Sequence, residues 1–292
     1  MKTSRTAFRI ILAILVLSVT GQAQWLNYRT PGIPRLPDGT PNFAAPVPRT
    51  AEGKPDLSGI WDDRCFSVDC TQRGRIINPG ASTGSDSWFH DLAQGLKETD
   101  VEMTAWAASI QAERERRDHV DDPFGYCLLP GVPRINFSGS LKILPTPQVM
   151  VFLYETLASL TFRQVFTDGR PLPEVTEPTW LGYSIGRWEG DTFVVETTGF
   201  KDGGWLDTRK ARPHSDALHV TERFRRTDFG HIDLTITIND PKAYLKPWTV
   251  NTVLNLLPDT ELLEVSCDQH NKTLEHRRIA PAQPEPASPR MP

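Results

Sequence analysis

From Leu141 onward, apolar side chains recur at every second position, in runs separated by short turns. Alternation of this kind gives an extended strand one face for a core and one for solvent. Ile232, Leu234, Ile236 and Ile238 alternate cleanly with Asp233, Thr235, Thr237 and Asn239. Val149, Val151 and Leu153 interleave with Met150, Phe152 and Tyr154, which makes both faces of that strand apolar. Phe162, Gln164 and Phe166 run into the turn signal Thr167-Asp168-Gly169-Arg170. The segment from Trp180 to Trp188 turns through Glu189-Gly190-Asp191 and returns as Thr192 to Thr198. Leu218, Val220 and Phe224 form another face, Val250, Thr252 and Leu254 continue, and Pro258-Asp259 turns into a last strand from Leu262 to Cys267. The spacing predicts a mainly β fold of about eight or nine strands joined by short turns, hence an antiparallel meander. Closing the meander removes its exposed edges, so a lipocalin-like barrel is expected. No β-α-β alternation is present to build a doubly wound sheet.

The ends fix the expected compartment. Lys2, Arg5 and Arg9 precede the apolar run Ile10 to Val19, and Gly21-Gln22-Ala23 offers small residues for cleavage. This reads as a secretory signal peptide over residues 1–23, its apolar run too short for a membrane anchor. No later segment is long and apolar enough to span a bilayer, so a periplasmic or secreted bacterial protein is expected. The formal net charge of −4, with no Lys/Arg cluster among aromatics, argues against nucleic acid as a partner. Residues 24–58 hold seven prolines and read as an extended arm, with Trp25, Leu26 and Tyr28 to strap it onto the body. Residues 59–275 form the single domain, and the proline-rich tail 276–292 reads as disordered.

One helix is expected near residues 100–117. Thr99-Asp100-Val101-Glu102 is a capping-box pattern, and Met103, Trp106, Ala107 and Ile110 follow at helical spacing. Arg114, Arg116 and Arg117, interleaved with acids, read as its solvated end. In an exported chain the four cysteines can form disulfides, and four allow three connectivities. Cys65 and Cys70 suit a local loop, which leaves Cys127 and Cys267 to tie the middle of the chain to its end. Neither a C-x-x-C zinc pattern nor a haem-attachment motif occurs, and no cofactor is expected.

The chemistry-bearing residues concentrate between Tyr183 and Arg223. Gly182-Tyr183-Ser184-Ile185-Gly186 matches G-x-S-x-G, but a nucleophile elbow needs a strand-to-helix turn, and here another strand follows. The small residues therefore read as a strand face that admits a neighbouring side chain. The loop Phe200 to Ser215 is long for a hairpin connection and is the best site candidate. His214 titrates near neutrality, and Asp207 is placed to orient it as a general acid/base. Glu222 shares strand parity with Val220 and Phe224, so it is an interior carboxylate that needs a partner, and Arg163 or Arg187 can supply one. A metal set of Asp207, His214, His219 and Glu222 fails on parity, since His219 and Glu222 face opposite sides. Tyr154, Arg163, Tyr183, Trp188, Trp205, Ser215 and Arg223 are candidate ligand-binding residues, beside Phe152 and Phe162 as lining.

Gly59-Ile60-Trp61 and Gly186-Arg187-Trp188 each match the G-x-W element found at the first strand of lipocalin-like barrels. Taken with Gly53 to Trp61, Cys127, Pro130-Gly131-Val132-Pro133-Arg134, Asp168-Gly169-Arg170, Trp188-Glu189-Gly190-Asp191-Thr192, Pro213-His214-Ser215, Glu222-Arg223-Phe224 and Asp240-Pro241, the chain resembles a family of exported bacterial proteins of unknown function. That resemblance covers about residues 50–268 and implies export, with no activity to carry over.

The leading functional expectation is a barrel that binds one small, largely apolar ligand. The second is a hydrolase, isomerase or lyase using His214 with Asp207 and Glu222. The third is an envelope interaction protein that makes contacts through its proline-rich ends.

Overall fold

The computed structural model describes residues 29–63, 91–156, 160–174 and 177–267. The signal segment, Trp25 to Tyr28, the Cys65–Cys70 loop and the tail lie outside these residues. Nine strands close into a barrel in chain order: β1 (Gly59–Asp62), β2 (Gly139–Pro145), β3 (Val149–Thr156), β4 (Leu160–Phe166), β5 (Tyr183–Glu189), β6 (Thr192–Thr198), β7 (His219–Arg226), β8 (His231–Asn239) and β9 (Trp248–Leu256). β1 closes the ring by pairing with both β2 and β9. The expected mainly β barrel is therefore the fold, and no helix among the described residues is long and apolar enough to cross a membrane.

Two of the expected strand features are corrected. The meander is not wholly antiparallel: β4 and β5 run parallel and share only the pairs Val165↔Ser184 and Phe166↔Ile185. The Asp168-Gly169 turn does form, with Arg170 N and its guanidinium donating to Asp168. However, Pro171, Pro173 and Pro178 follow, and proline cannot donate to a ladder. The chain therefore crosses back before starting β5, as a parallel neighbour requires. The expected last strand at Leu262 to Cys267 is not one of the barrel strands, and β9 is the last strand among the described residues.

The helix, α1 (Ala105–Arg116), begins later than the capping-box pattern suggests, with Thr104 as its cap accepting from Ala107 N. Residues 102–104 are held extended instead. Leu245 N donates to Glu102 O, Thr104 N donates to Ala243 O, and Met103 bridges Tyr244. Ala107 and Arg114 are the buried residues of this helix, so Arg114 is not part of a solvated end.

Inside the barrel the alternation read from the sequence holds. Ile232, Leu234, Ile236 and Ile238 are fully buried, as are Val220, Glu222 and Phe224 on β7. Phe152 meets Phe224 edge-on at 5.5 Å and Tyr154 at 6.3 Å. Gly186 gives way to its neighbours as expected: a Cβ there would lie 2.5 Å from the Phe193 ring and 2.8 Å from Val165. The lumen is thus occupied by side chains.

One end of the barrel is closed by Trp61, whose Nε1 donates to Leu57 O at 3.0 Å, beneath the Arg226 guanidinium 4.8 Å away. The arm packs over this end. Phe229 N and Gly230 N donate to Ala45 O and Phe43 O, and Asp259 accepts from Thr30 N and Arg35. The opposite end is filled by the buried 3₁₀ turn Arg134–Phe137. A Cys127–Cys267 disulfide joins segments 140 positions apart.

Gly59 explains the G-x-W element physically. Its φ is +138°, and a Cβ there would lie 2.8 Å from Leu256 Cδ1 and 3.3 Å from Trp61 Nε1. Gly59→Ala should therefore lower the unfolding free energy by about 1–3 kcal/mol in urea titration. An unchanged midpoint would show that this approach is not needed for closure.

Candidate functional site

The barrel interior holds a polar cluster centred on Arg163. Arg163 points inward from β4 and reaches the next three strands: Nε donates to Ser184 Oγ on β5 at 2.9 Å, and Nη2 donates to Thr197 Oγ1 on β6 at 2.7 Å and to Glu222 Oε2 on β7 at 2.6 Å. Asn136 Nδ2 donates to the other carboxylate oxygen at 2.6 Å, and Tyr154 OH donates to Asn136 Oδ1 at 3.0 Å. Burial works against the Arg163 charge, but Glu222 outweighs it and holds the guanidinium protonated. Burial also pushes the Tyr154 phenol up, so it stays a neutral donor. Arg163 is the partner that the parity of Glu222 requires. With both oxygens engaged, Glu222 is a structural anchor rather than a free acid or base. Ser184 is part of the same cluster and lacks the helix and histidine that a nucleophile needs.

The loop before β7 is arranged differently from the expected dyad. Asp207 is fully buried and bonds Arg212 Nη1 at 2.5 Å and Lys210 N at 2.8 Å. Arg212 also reaches Asp91. Burial pushes the Asp207 carboxyl up, and Arg212 opposes that shift. His214 bonds elsewhere: its Nδ1 lies 3.1 Å from Ser215 O. A carbonyl only accepts, so Nδ1 carries the proton and Nε2 the lone pair. That edge lies against Gly204, where a Cβ would come within 2.0 Å of Nε2, and Phe200 packs on the ring at 5.9 Å. Burial lowers the His214 pKa.

Ser215 is held by a residue with no assigned role in the sequence reading. Asp240 accepts from Ser215 N at 2.6 Å and from Ser215 Oγ at 2.7 Å, and Tyr244 OH donates to Pro213 O at 2.8 Å. Trp205 lies under the Arg114 guanidinium at 4.7 Å, and Arg114 donates to the carbonyls of Ala211 and Gly204. Burial pushes the Arg114 guanidinium down to about 10. His214, Asp207 and Glu222 thus serve three separate hydrogen-bond sets, and the structure does not assemble them around one substrate position.

Of the remaining candidates, Trp188 packs at the barrel rim against the core, and the others face outward. Arg223 pairs with Glu189 at 2.7 Å. Tyr183 stacks on Phe166 at 5.3 Å and accepts from Arg170. Trp188 leans on Phe193 at 5.2 Å, with Lys54 above it. Phe162 points outward and is 60% exposed. Among the described residues no three His, Cys, Asp or Glu side chains gather to hold a metal ion.

A cleft that the sequence reading missed lies where the arm crosses the barrel. Its volume is about 320 Å³, and its lining includes Ile33, Ile60, Lys142, Arg226, Phe229 and Leu257. These residues come from the arm, β1, β2, β7, the β7–β8 turn and the segment after β9, so no local motif marks them. No family model, curated protein or solved structure matches this chain.

Glu222→Gln leaves the Arg163 charge buried without its counter-ion. It should cost about 3–5 kcal/mol in urea unfolding, while the apolar pair Arg163→Met with Glu222→Leu costs less. Equal losses would show that the charges contribute no more than their volume. His214 is neutral in the native protein and protonates near ~6.5 when unfolded. Below that pH the unfolded chain binds the extra proton, so stability falls as the pH drops and is fully present above it. Urea midpoints from pH 8 to 5 should fall less steeply for His214→Asn, and parallel profiles would remove His214 as the source.

Proposed function

We propose that the protein is an exported binding barrel that takes a small, largely apolar ligand in the cleft beneath its proline-rich arm. The observation that carries this reading is the cleft itself, with Ile33, Ile60, Phe229 and Leu257 against a polar rim. Its volume lies at the lower end of the ~300–1,000 Å³ usual for small-molecule sites. The ligand lies at the outer wall and not in the lumen, because aromatic and aliphatic side chains occupy the lumen.

Catalysis is the weaker reading for a specific reason. Asp207 and Glu222 are each held by an arginine, Ser215 is held by Asp240, and the His214 lone pair faces Gly204. A general base must come within hydrogen-bond reach of the proton it takes. Gly59-Ile60-Trp61 on the first strand of a closed barrel favours lipocalin-like kinship, and the Cys127–Cys267 disulfide is compatible with export.

The test is a titration with neutral N-phenyl-1-naphthylamine, read by its fluorescence. Saturable binding is expected, and Leu257→Glu should abolish it while leaving the far-UV circular dichroism unchanged. Absence of saturation, or equal binding by the folded variant, would overturn the proposal.

A further inference from the structure

Arg226 differs from most of the buried arginines of this protein. Arg134 is bidentate to Asp122, Arg163 is paired with Glu222, and Arg212 with Asp207. Arg226 is 5% exposed, yet its hydrogen bonds go to three carbonyl oxygens, those of Asp56, Asp228 and Phe229. The carboxylates that act on it from a distance are engaged elsewhere. Asp56 accepts from Ser58 N and Oγ, and Asp228 accepts from Gly230 N and His231 Nδ1. A guanidinium has five N–H donors, and three are used here. Stacking between Trp61 at 4.8 Å and Phe229 at 5.0 Å fixes its plane. Burial pushes it down to about 10, so it remains a cation at neutral pH.

Arg114 also bonds only carbonyls, but the cleft lining includes Arg226 and not Arg114. A second cation, Lys142, stands at the same cleft and bonds Glu261 at 2.9 Å, whose side chain is 54% exposed. A buried cation with donors to spare, beside an apolar wall, is chemically complementary to an acid headgroup on an apolar body.

We propose that the cleft selects anionic amphiphiles. A single carboxylate bonds the free edge of Arg226, Lys142 exchanges Glu261 for the same anion, and an aliphatic or aromatic body lies against Ile33, Ile60 and Leu257. This rests on the cleft being the ligand site.

The experiment is displacement of the bound neutral naphthylamine dye by decanoate and by decanol at pH 7.5. Decanoate should displace at about a tenfold lower concentration or less, the ratio expected for a charge-assisted hydrogen bond. Equal potency would overturn the headgroup proposal and leave the apolar cleft standing. Dye binding that neither compound displaces, and that Leu257→Glu does not weaken, would instead sink the cleft reading. Folded Arg226→Gln should bring the decanoate preference close to one, and a persisting preference would overturn the assignment. Where that variant does not fold, Lys142→Met decides: most of the preference should survive it, and complete loss would move the headgroup from Arg226 to Lys142.

Discussion

The barrel depends on a guanidinium at a thin seam, its parallel one. β4 and β5 share two ladder pairs, so the backbone alone holds them poorly. Arg163 bridges the gap with side-chain bonds to Ser184, Thr197 and Glu222, one on each of the next three strands. The cost of burying its charge is offset by Glu222, whose other oxygen accepts from Asn136, which Tyr154 holds in turn. A hydrophobic side chain at this position would fill the same space but would not join four strands. The polar cluster therefore performs a mechanical task inside an otherwise apolar lumen, which explains why its acidic and hydroxyl groups are not free for chemistry.

The filled lumen bears directly on function. A barrel of this size can either pack its interior or hold a ligand there. Here Phe152, Phe193, Phe224 and the isoleucines of β8 take that space. A concave surface does lie at the junction between barrel and arm, with Arg226 in its lining. Gly59 and Arg226 thus belong to two structures at once: both pack against Trp61 at the closed end, and both line the proposed site.

How much of this the sequence reveals follows from the range of each interaction. The alternation in β8 and the Glu189-Gly190-Asp191 hairpin are local, so strand period and turn chemistry disclose them. The parity of Glu222 marks it as interior and needing a cation, and Arg163 was one of two candidates. The parallel β4–β5 pair was hidden because a good turn at Asp168-Gly169 outweighed the prolines behind it. Asp207 and His214 looked like a dyad because they are close in sequence. Their partners are decided by Arg212, reinforced by distant Asp91, and by Ser215 O. Arg114 read as solvated because its charge pattern is that of a helix end, and Trp205, which it covers, comes from a loop far along the chain. The cleft had no signature, because the segments that build it meet only after the ring closes.

The disulfide has a topological consequence. Cys127 precedes β2 and Cys267 follows β9, so the covalent loop encloses eight of the nine strands and leaves out β1 and the arm. β1 is attached by three ladder pairs to β2 and two to β9. A pull on the N-terminal segment is therefore resisted at first only by these few hydrogen bonds, the packing of Trp61 and the arm contacts. The rest of the wall stays tethered as a loop. The same segment forms one side of the cleft and the tethered wall the other, so peeling the segment away would open the proposed binding surface without breaking a covalent bond.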